Sequence, residues 1–295
     1  MGNLKEIRLR IGAIKNTRKI TQAMGRIASA RLFKAQQAVT AARPYAERLA
    51  EVVQALTAAT DDAAVDPLMA PRAEVRGVGI ILVSADRGLC GGFNANVTKA
   101  ALQRIAREKE AGREVTVIAV GKKGAGALKY NGIDVDYRHE VPGNDNVLDT
   151  VKAVATEATG LFLPMDGATP TVDVVYIIYN FFRNALVQEV TETQLLPFKP
   201  AEIDPDAPPV EPVFEPDRAA LLAHLLPVAL ESQIQTALLN SISSELASRR
   251  TAMNSATDNA TELIDDLTLQ FNRERQAAIT TELMEIIGGS EALKG

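Results

Sequence analysis

The segment Asp86-Arg-Gly-Leu-Cys-Gly-Gly-Phe-Asn94 lies between a short apolar run and an amphipathic stretch. That is where phosphate-binding loops sit, because free amides at a helix start attract anions. Its glycines do not follow the GxGxxG spacing, and no acidic residue waits about 20 positions on at a second strand end. The loop reads as a structural or partner-contacting turn, with nucleotide binding the weaker alternative. Gly121-Lys-Lys-Gly124 lacks the frame and the Ser or Thr of a P-loop and reads as a basic turn. Ser84, Asp86 and Cys90 could form a nucleophile site, but no histidine is near in sequence, and turn hydrogen bonds account for them more simply. The chain's two histidines, His139 and His224, are far apart, and neither neighbours a second Cys, His or paired carboxylate. The inventory holds no persuasive catalytic set, metal site or cofactor site.

The elements around these residues change period along the chain. Gly77–Ser84 and Val115–Val120 are short continuous apolar runs, as buried strands are, followed by helical stretches at Asn94–Glu110 and Lys122–Tyr130. Asn131-Gly132 turns the chain into a strand at Ile133–Tyr137, and Asn146–Gly160 reads as a helix. This alternation predicts a Rossmann-like α/β domain over 74–196, with a parallel sheet. Val172–Phe181 and Leu186–Leu196 look like a hairpin added at its edge. Residues 197–216 hold seven of the fourteen prolines and five acidic residues, which predicts an extended linker.

Both ends of the chain carry a different pattern. Over 1–59 apolar residues recur at alternating steps of three and four: Leu4, Ile7, Ile11, Ile14, Ala28, Leu32, Ala35, Val39, Ala42, Ala46, Leu49, Val53 and Leu56. Arg18, Thr21 and Gly25 occupy the skipped rungs. Over 217–295 the ladder returns as Leu239, Ile242, Leu246, Met253, Ala256, Ala260, Leu263 and Leu267, broken at Arg249. Such a repeat is the seam of a coiled coil, so the two helices are expected to pair, antiparallel. Pro44 should bend the first helix or mark a join, Pro227 should kink the start of the second, and Gly288-Gly289 should end it. The second helix is the longer, so its tip should overshoot by roughly ten to fifteen residues. Ile279, Leu283, Ile286 and Ile287 would then lack an intrachain cover and predict a sleeve supplied by another protein.

Charge agrees with that pairing. Residues 1–48 carry eleven Lys and Arg against Glu6 and Glu47, whereas residues 218–295 carry six basic and ten acidic side chains. Opposite signs favour pairing the helices with each other, and the basic surplus calls for an acidic neighbour. Only Phe33 and Tyr45 interleave with the basic residues, so nucleic acid is not the expected partner. The single cysteine, Cys90, excludes an intrachain disulfide and fits a reducing compartment. No signal peptide or apolar run of about 18 residues appears.

Several segments resemble the gamma subunits of rotary F-type ATP synthases, bacterial type. They are Leu4-Lys-Glu-Ile-Arg8, Lys15-Asn-Thr-Arg-Lys-Ile-Thr21 with Ala23-Met24, Arg43-Pro-Tyr-Ala-Glu47, Asp86-Arg-Gly-Leu-Cys-Gly-Gly92, Ala256-Thr-Asp-Asn-Ala260 and Arg275-Gln-Ala-Ala-Ile-Thr280, followed by Glu282 and Glu285-Ile-Ile-Gly-Gly289. The likeness spans essentially the entire chain, in order. It implies a non-catalytic central rotor stalk, one copy per complex, turning in a ring of alpha and beta subunits whose beta members hold the nucleotide sites. It also implies a peripheral membrane location on the cytoplasmic face of the bacterial inner membrane. By resemblance, Phe214 and Glu215 belong to a foot that meets the epsilon subunit and the membrane c-ring. Cys90's loop should lie near an acidic loop of a beta subunit. Arg275, Gln276 and Thr280 should contact the upper ring, and Met24 should face beta. The sequence departs from the family at Gln22, commonly Lys, and at Gly25-Arg26, commonly a bulky apolar pair. This predicts a weak seam there that Gly25→Ala would stiffen.

Two other classes compete with the rotor. A nucleotide-dependent enzyme on a coiled-coil arm is opposed by the missing phosphate fingerprint. A passive adaptor would share the bare apolar tip, and only the resemblance separates it from a rotor.

Overall fold

The computed structural model describes residues 2–58, 66–143, 146–164, 169–199 and 218–292. The linker expected over 197–216 lies outside them beyond Lys199, as do Phe214 and Glu215. The chain divides into two compact units, one of Met1–Ser29 with Arg249–Gly295 and one of Ala30–Ser248.

The larger unit is a three-layer α/β structure. Its strands are β1 (Gly77–Val83), β2 (Glu114–Val120), β3 (Tyr137–His139), β4 (Val174–Phe182) and β5 (Gln188–Leu196), in the order β3-β2-β1-β4-β5. The first four pair in parallel and β5 is antiparallel to β4, as the edge-hairpin pattern predicts. Alternate residues of the strands face opposite layers. Val78, Ile80 and Leu82 meet Val97, Ala101 and Ile105 of α2 (Phe93–Glu110) and Leu128 of α3 (Lys122–Tyr130). Ile81, Val83, Ile177 and Tyr179 share the opposite core with α4 (Val147–Phe162), with Leu49, Val53 and Leu56 of α1 (Gly2–Ala58), and with Leu226, Leu230 and Ile234 of α5 (Arg218–Ala292).

Two boundaries differ from the sequence reading. Strand β3 starts at Tyr137, not Ile133, because the Asp136 carboxylate takes the Val117 N–H at 2.8 Å before the ladder begins. Helix α5 passes Gly288-Gly289 and reaches Ala292; glycine costs a helix about 1 kcal/mol relative to Ala but does not forbid it. Neither Pro44 nor Pro227 ends its helix.

In the smaller unit α1 and α5 pair antiparallel. The Arg8 guanidinium lies 5.5 Å from the Phe271 ring centre, Thr21 Oγ1 is 2.7 Å from Thr257 Oγ1, and Gly25 lies against Met253 and Asn254. One number falls as the other rises, so a single register describes all three contacts. The ladder on α1 has no gap: Ile7, Thr21, Gly25 and Ala28 are buried, and Leu4, Ile11, Ile14 and Arg18 are half-buried between them. The polar rungs belong to the seam. On α5 the seam runs through Met253, Thr257, Ala260, Ile264, Leu267 and Phe271. Leu263, expected on it, is 50% exposed, while Ile264 is 6% exposed. With Thr257 opposite Thr21, the step of three reaches Ala260 and the next step must be four.

Candidate functional site

The signature loop is held from within. Asp86 accepts the Lys122 N–H at 2.9 Å and the Val141 N–H at 3.1 Å, which ties the loop to the start of α3 and the end of β3. Asn94 Oδ1 accepts the Ala85 N–H at 2.9 Å, and Asn94 Nδ2 sits 3.2 Å from Cys90 Sγ. Cys90 is buried, whereas Leu89, at a φ of 64°, is 67% exposed beside exposed Arg87. The loop therefore presents Arg87 and Leu89 outward and keeps the thiol inside.

Ser84 is equally occupied. Its hydroxyl accepts the Gly124 N–H at 2.9 Å and lies 3.2 Å from the Val120 carbonyl. A Cβ at Gly121 or Gly124 would approach Ser84 atoms to 2.4 Å or 2.6 Å. The glycines of the basic turn exist to admit this contact, and Gly121 also has a φ of +105°. His139 Nε2 meets Glu157 at 2.8 Å and so joins β3 to α4, while His224 is exposed on α5. The structure does not bring Ser84, Cys90 and a histidine together as a nucleophile set. No group of three or more metal-ligating side chains occurs among the described residues, and none of their helices is long and apolar enough to cross a membrane.

Strand order reverses between β1 and β4, and in open α/β sheets ligands bind beyond the strand ends at that point. Here α5 crosses it. Ser248 Oγ donates to the Cys90 carbonyl at 2.6 Å, Ser244 Oγ donates to the Asn180 carbonyl at 3.0 Å, and Asn240 Oδ1 accepts the Phe182 N–H at 3.4 Å. Sequence reasoning missed this ladder, although its signal was present: polar residues at steps of four on an otherwise apolar helix face.

The second candidate is the tip of α5. In the register fixed by Arg8, Thr21 and Gly25, the first turn of α1 stands opposite residues near 274, and from Ala278, which is half-buried, the next nine residues, Ile279–Ile287, are all exposed. The helical residues from Ile279 to Ala292, fourteen in all, extend past any counterpart, in line with the overshoot expected from the helix lengths. Ile279, Leu283, Met284, Ile286 and Ile287 are 49–69% exposed. Arg275, Gln276 and Thr280 are also exposed, and the Thr280 hydroxyl donates back to the Gln276 carbonyl at 2.9 Å. Met24 is half-buried beside the seam. Arg10, Lys15, Lys19 and Arg26 are exposed, and no salt bridge to any of them occurs among the described residues. Together these features make an apolar point with a basic flank.

Known proteins share this organisation. A family model described as ATP synthase matches residues 3–293. The ATP synthase gamma chain of Geobacter sp. strain M21 is 46% identical over 295 residues, covering all of both chains. That of Pelotomaculum thermopropionicum is 40% identical over 294 residues, again covering both fully. Among solved structures, a chain of the Euglena gracilis mitochondrial ATP synthase assembly of OSCP, F1 and c-ring superposes with a TM-score of 0.68 at 19% identity, over 99% of this chain and 95% of that one. A chain of the Tetrahymena thermophila central stalk and c-ring structure gives 0.58 at 22% identity, over 80% and 99%. At these identities the structural likeness speaks to the fold.

Proposed function

The chain belongs to the ATP synthase gamma chain family, and from that premise we propose that it is the central rotor stalk of a bacterial F-type ATP synthase. It transmits torque between the membrane rotor ring and a catalytic ring of alpha and beta subunits, so that proton flow is coupled to ATP synthesis or hydrolysis. The observation that carries this reading is the full-length likeness to ATP synthase gamma chains, 46% identical over all of both chains, and the α5 tip fits it: a continuous helix leaves its partner behind and presents five apolar side chains at about half exposure or more. Such a point is stable in water only at a cost, and a socket removes it.

In this reading the catalytic sites lie on the beta subunits, and the stalk acts by contact. A single asymmetric shaft cannot touch three identical subunits identically, so each is biased toward a different conformation. Moving one site from 1:99 to 99:1 requires ~5.5 kcal/mol of differential preference, which a set of side-chain contacts can sum to. Arg275, Gln276 and Thr280 serve as polar contacts to the upper ring, Ile279, Leu283 and Ile286 as the seated apolar point, and Met24 as a lateral contact with beta. Around Cys90 the contact with beta is made by Arg87 and Leu89, the outward residues of that loop. The α/β unit and the Phe214-Glu215 segment form the foot toward the epsilon subunit and the c-ring, at the cytoplasmic face of the inner membrane.

The test is nucleotide turnover. The purified chain alone should hydrolyse no ATP, alpha and beta subunits alone little, and the mixture should turn over steadily in a way that depends on the α5 tip. Turnover by the isolated chain would overturn the reading.

A further inference from the structure

We infer that the crevice at the ends of β1 and β4 is a keyed socket for the chain's own helix α5, in which Asn240, Ser244 and Ser248 fix the rotation of that helix about its axis against the sheet. The three residues stand one helical turn apart and so share a face. Each bonds main chain, not side chain: Asn240 takes the Phe182 N–H and Ser244 reaches the Asn180 carbonyl, both at the end of β4, while Ser248 reaches the Cys90 carbonyl in the loop that follows β1. These backbone groups lie where the strand order reverses, so the chain's own side chains fill the position a ligand takes in related sheets.

The polar character is informative because this stretch is buried. Ser244 is fully inaccessible and Asn240 is 4% exposed, positions that apolar residues could fill with more adhesion. Adhesion is already supplied by Leu226, Leu230, Ile234 and Leu238. Apolar contact is non-directional and tolerates sliding, whereas a hydrogen bond weakens steeply once its angle and distance are lost. Turning a helix by about 20° moves a group at roughly 5 Å from the axis by about 2 Å. That displacement breaks bonds of 2.6 and 3.0 Å, yet leaves a leucine in contact with the same neighbours. The leucines hold the helix on the sheet and the polar ladder sets its angle. Its importance for torque rests on the rotor reading, since a stalk that slips at this joint would turn without driving its foot.

The experiment uses the full-length chain with nitroxides at Gln233→Cys on α5 and Tyr130→Cys on α3, both exposed positions; buried Cys90 is left in place. With the ladder intact the distance distribution should be single and narrow. Ser244→Ala with Ser248→Ala should broaden it about twofold or split it, Ser248→Ala alone should broaden it less, and Ser248→Thr, which keeps the hydroxyl, should leave it narrow. Leu238→Ala should lower the urea midpoint without broadening. An unchanged width in the double alanine variant, or equal broadening in Leu238→Ala, would overturn the proposal. In the assembled synthase the double variant should keep its ATP hydrolysis and pump fewer protons per ATP. Failure of the wild-type chain to support any activity there would instead count against the rotor reading, and the nitroxide result would stand apart from it.

Discussion

Replacing Gly25 by alanine sets helix propensity against crowding where α1 lies against Met253 and Asn254 of α5. Alanine is favoured over glycine in a helix interior by about 1 kcal/mol. The new Cβ would lie 3.5 Å from Met253 Cβ, an ordinary contact, and 3.0 Å from Asn254 Oδ1, which is too close. Asn254 is exposed, so its amide can move to another rotamer for about 0.5 kcal/mol or a little more. Burying the methyl against Met253 returns up to ~0.8 kcal/mol. The expected net is a gain of about 1 kcal/mol in the smaller unit. Amide exchange of residues 21–29 in the full-length chain measures this locally, and protection should rise about fivefold. Gly25→Leu, whose branched end Met253 cannot accommodate, should reduce it. A loss of protection in Gly25→Ala that Asn254→Ala does not restore would show that the two backbones cannot accept even a methyl, and would refute the reasoning.

Four further outcomes follow from the geometry. Ile264→Ala should cost about 2–4 kcal/mol and Leu263→Ala less than about 1 by urea denaturation, since only the former faces the seam; equal costs would contradict the register. Thr21→Val, Thr257→Val and the double change should each cost less than about 1 kcal/mol, because each hydroxyl of the 2.7 Å pair keeps a carbonyl acceptor on its own helix, Arg18 at 3.0 Å and Met253 at 2.8 Å; a single change costing about 2 kcal/mol or more would contradict this. Arg104→Met should destabilise the α/β unit by about 1.5–3 kcal/mol in thermal melts, since it removes from Glu108, 5% exposed, the guanidinium that also reaches Glu192 and leaves it Arg113 alone, at 2.7 Å. Leu283→Gln with Ile286→Gln should leave the isolated chain's melting unchanged, both being more than half exposed, but should weaken the activity of the chain mixed with alpha and beta subunits.

Much of this molecule can be read from residue order because its two architectures have different periods. The three-four ladder on α1 survives from Leu4 to Leu56, and the strand runs at Gly77 and Val115 are short enough to exclude buried helices. What the sequence hid is phase. An apolar scan prefers Leu263 to Ile264, and only the Thr21–Thr257 contact shows that the seam passes through a polar rung and shifts the next step. Gly25 likewise reads as a gap in sequence, and in space it is buried against Met253 and Asn254. Cys90 draws attention as the lone thiol, yet the residue its loop offers outward is Leu89, because the positive φ at Leu89 turns that side chain out while Asn94 and the Arg87 carbonyl hold the sulfur in. The Asn240-Ser244-Ser248 ladder was legible as spacing, but its partners are main-chain groups, which no residue type announces.

The account stands on the claim that this chain turns inside a ring of other subunits. Attaching a bead to the exposed Tyr130 position, with alpha and beta subunits fixed to a surface and ATP supplied, tests it directly. The account predicts one-way rotation in three equal stations per turn, abolished when the α5 tip is removed beyond Ala278. Sustained ATP hydrolysis with the bead stationary would contradict it.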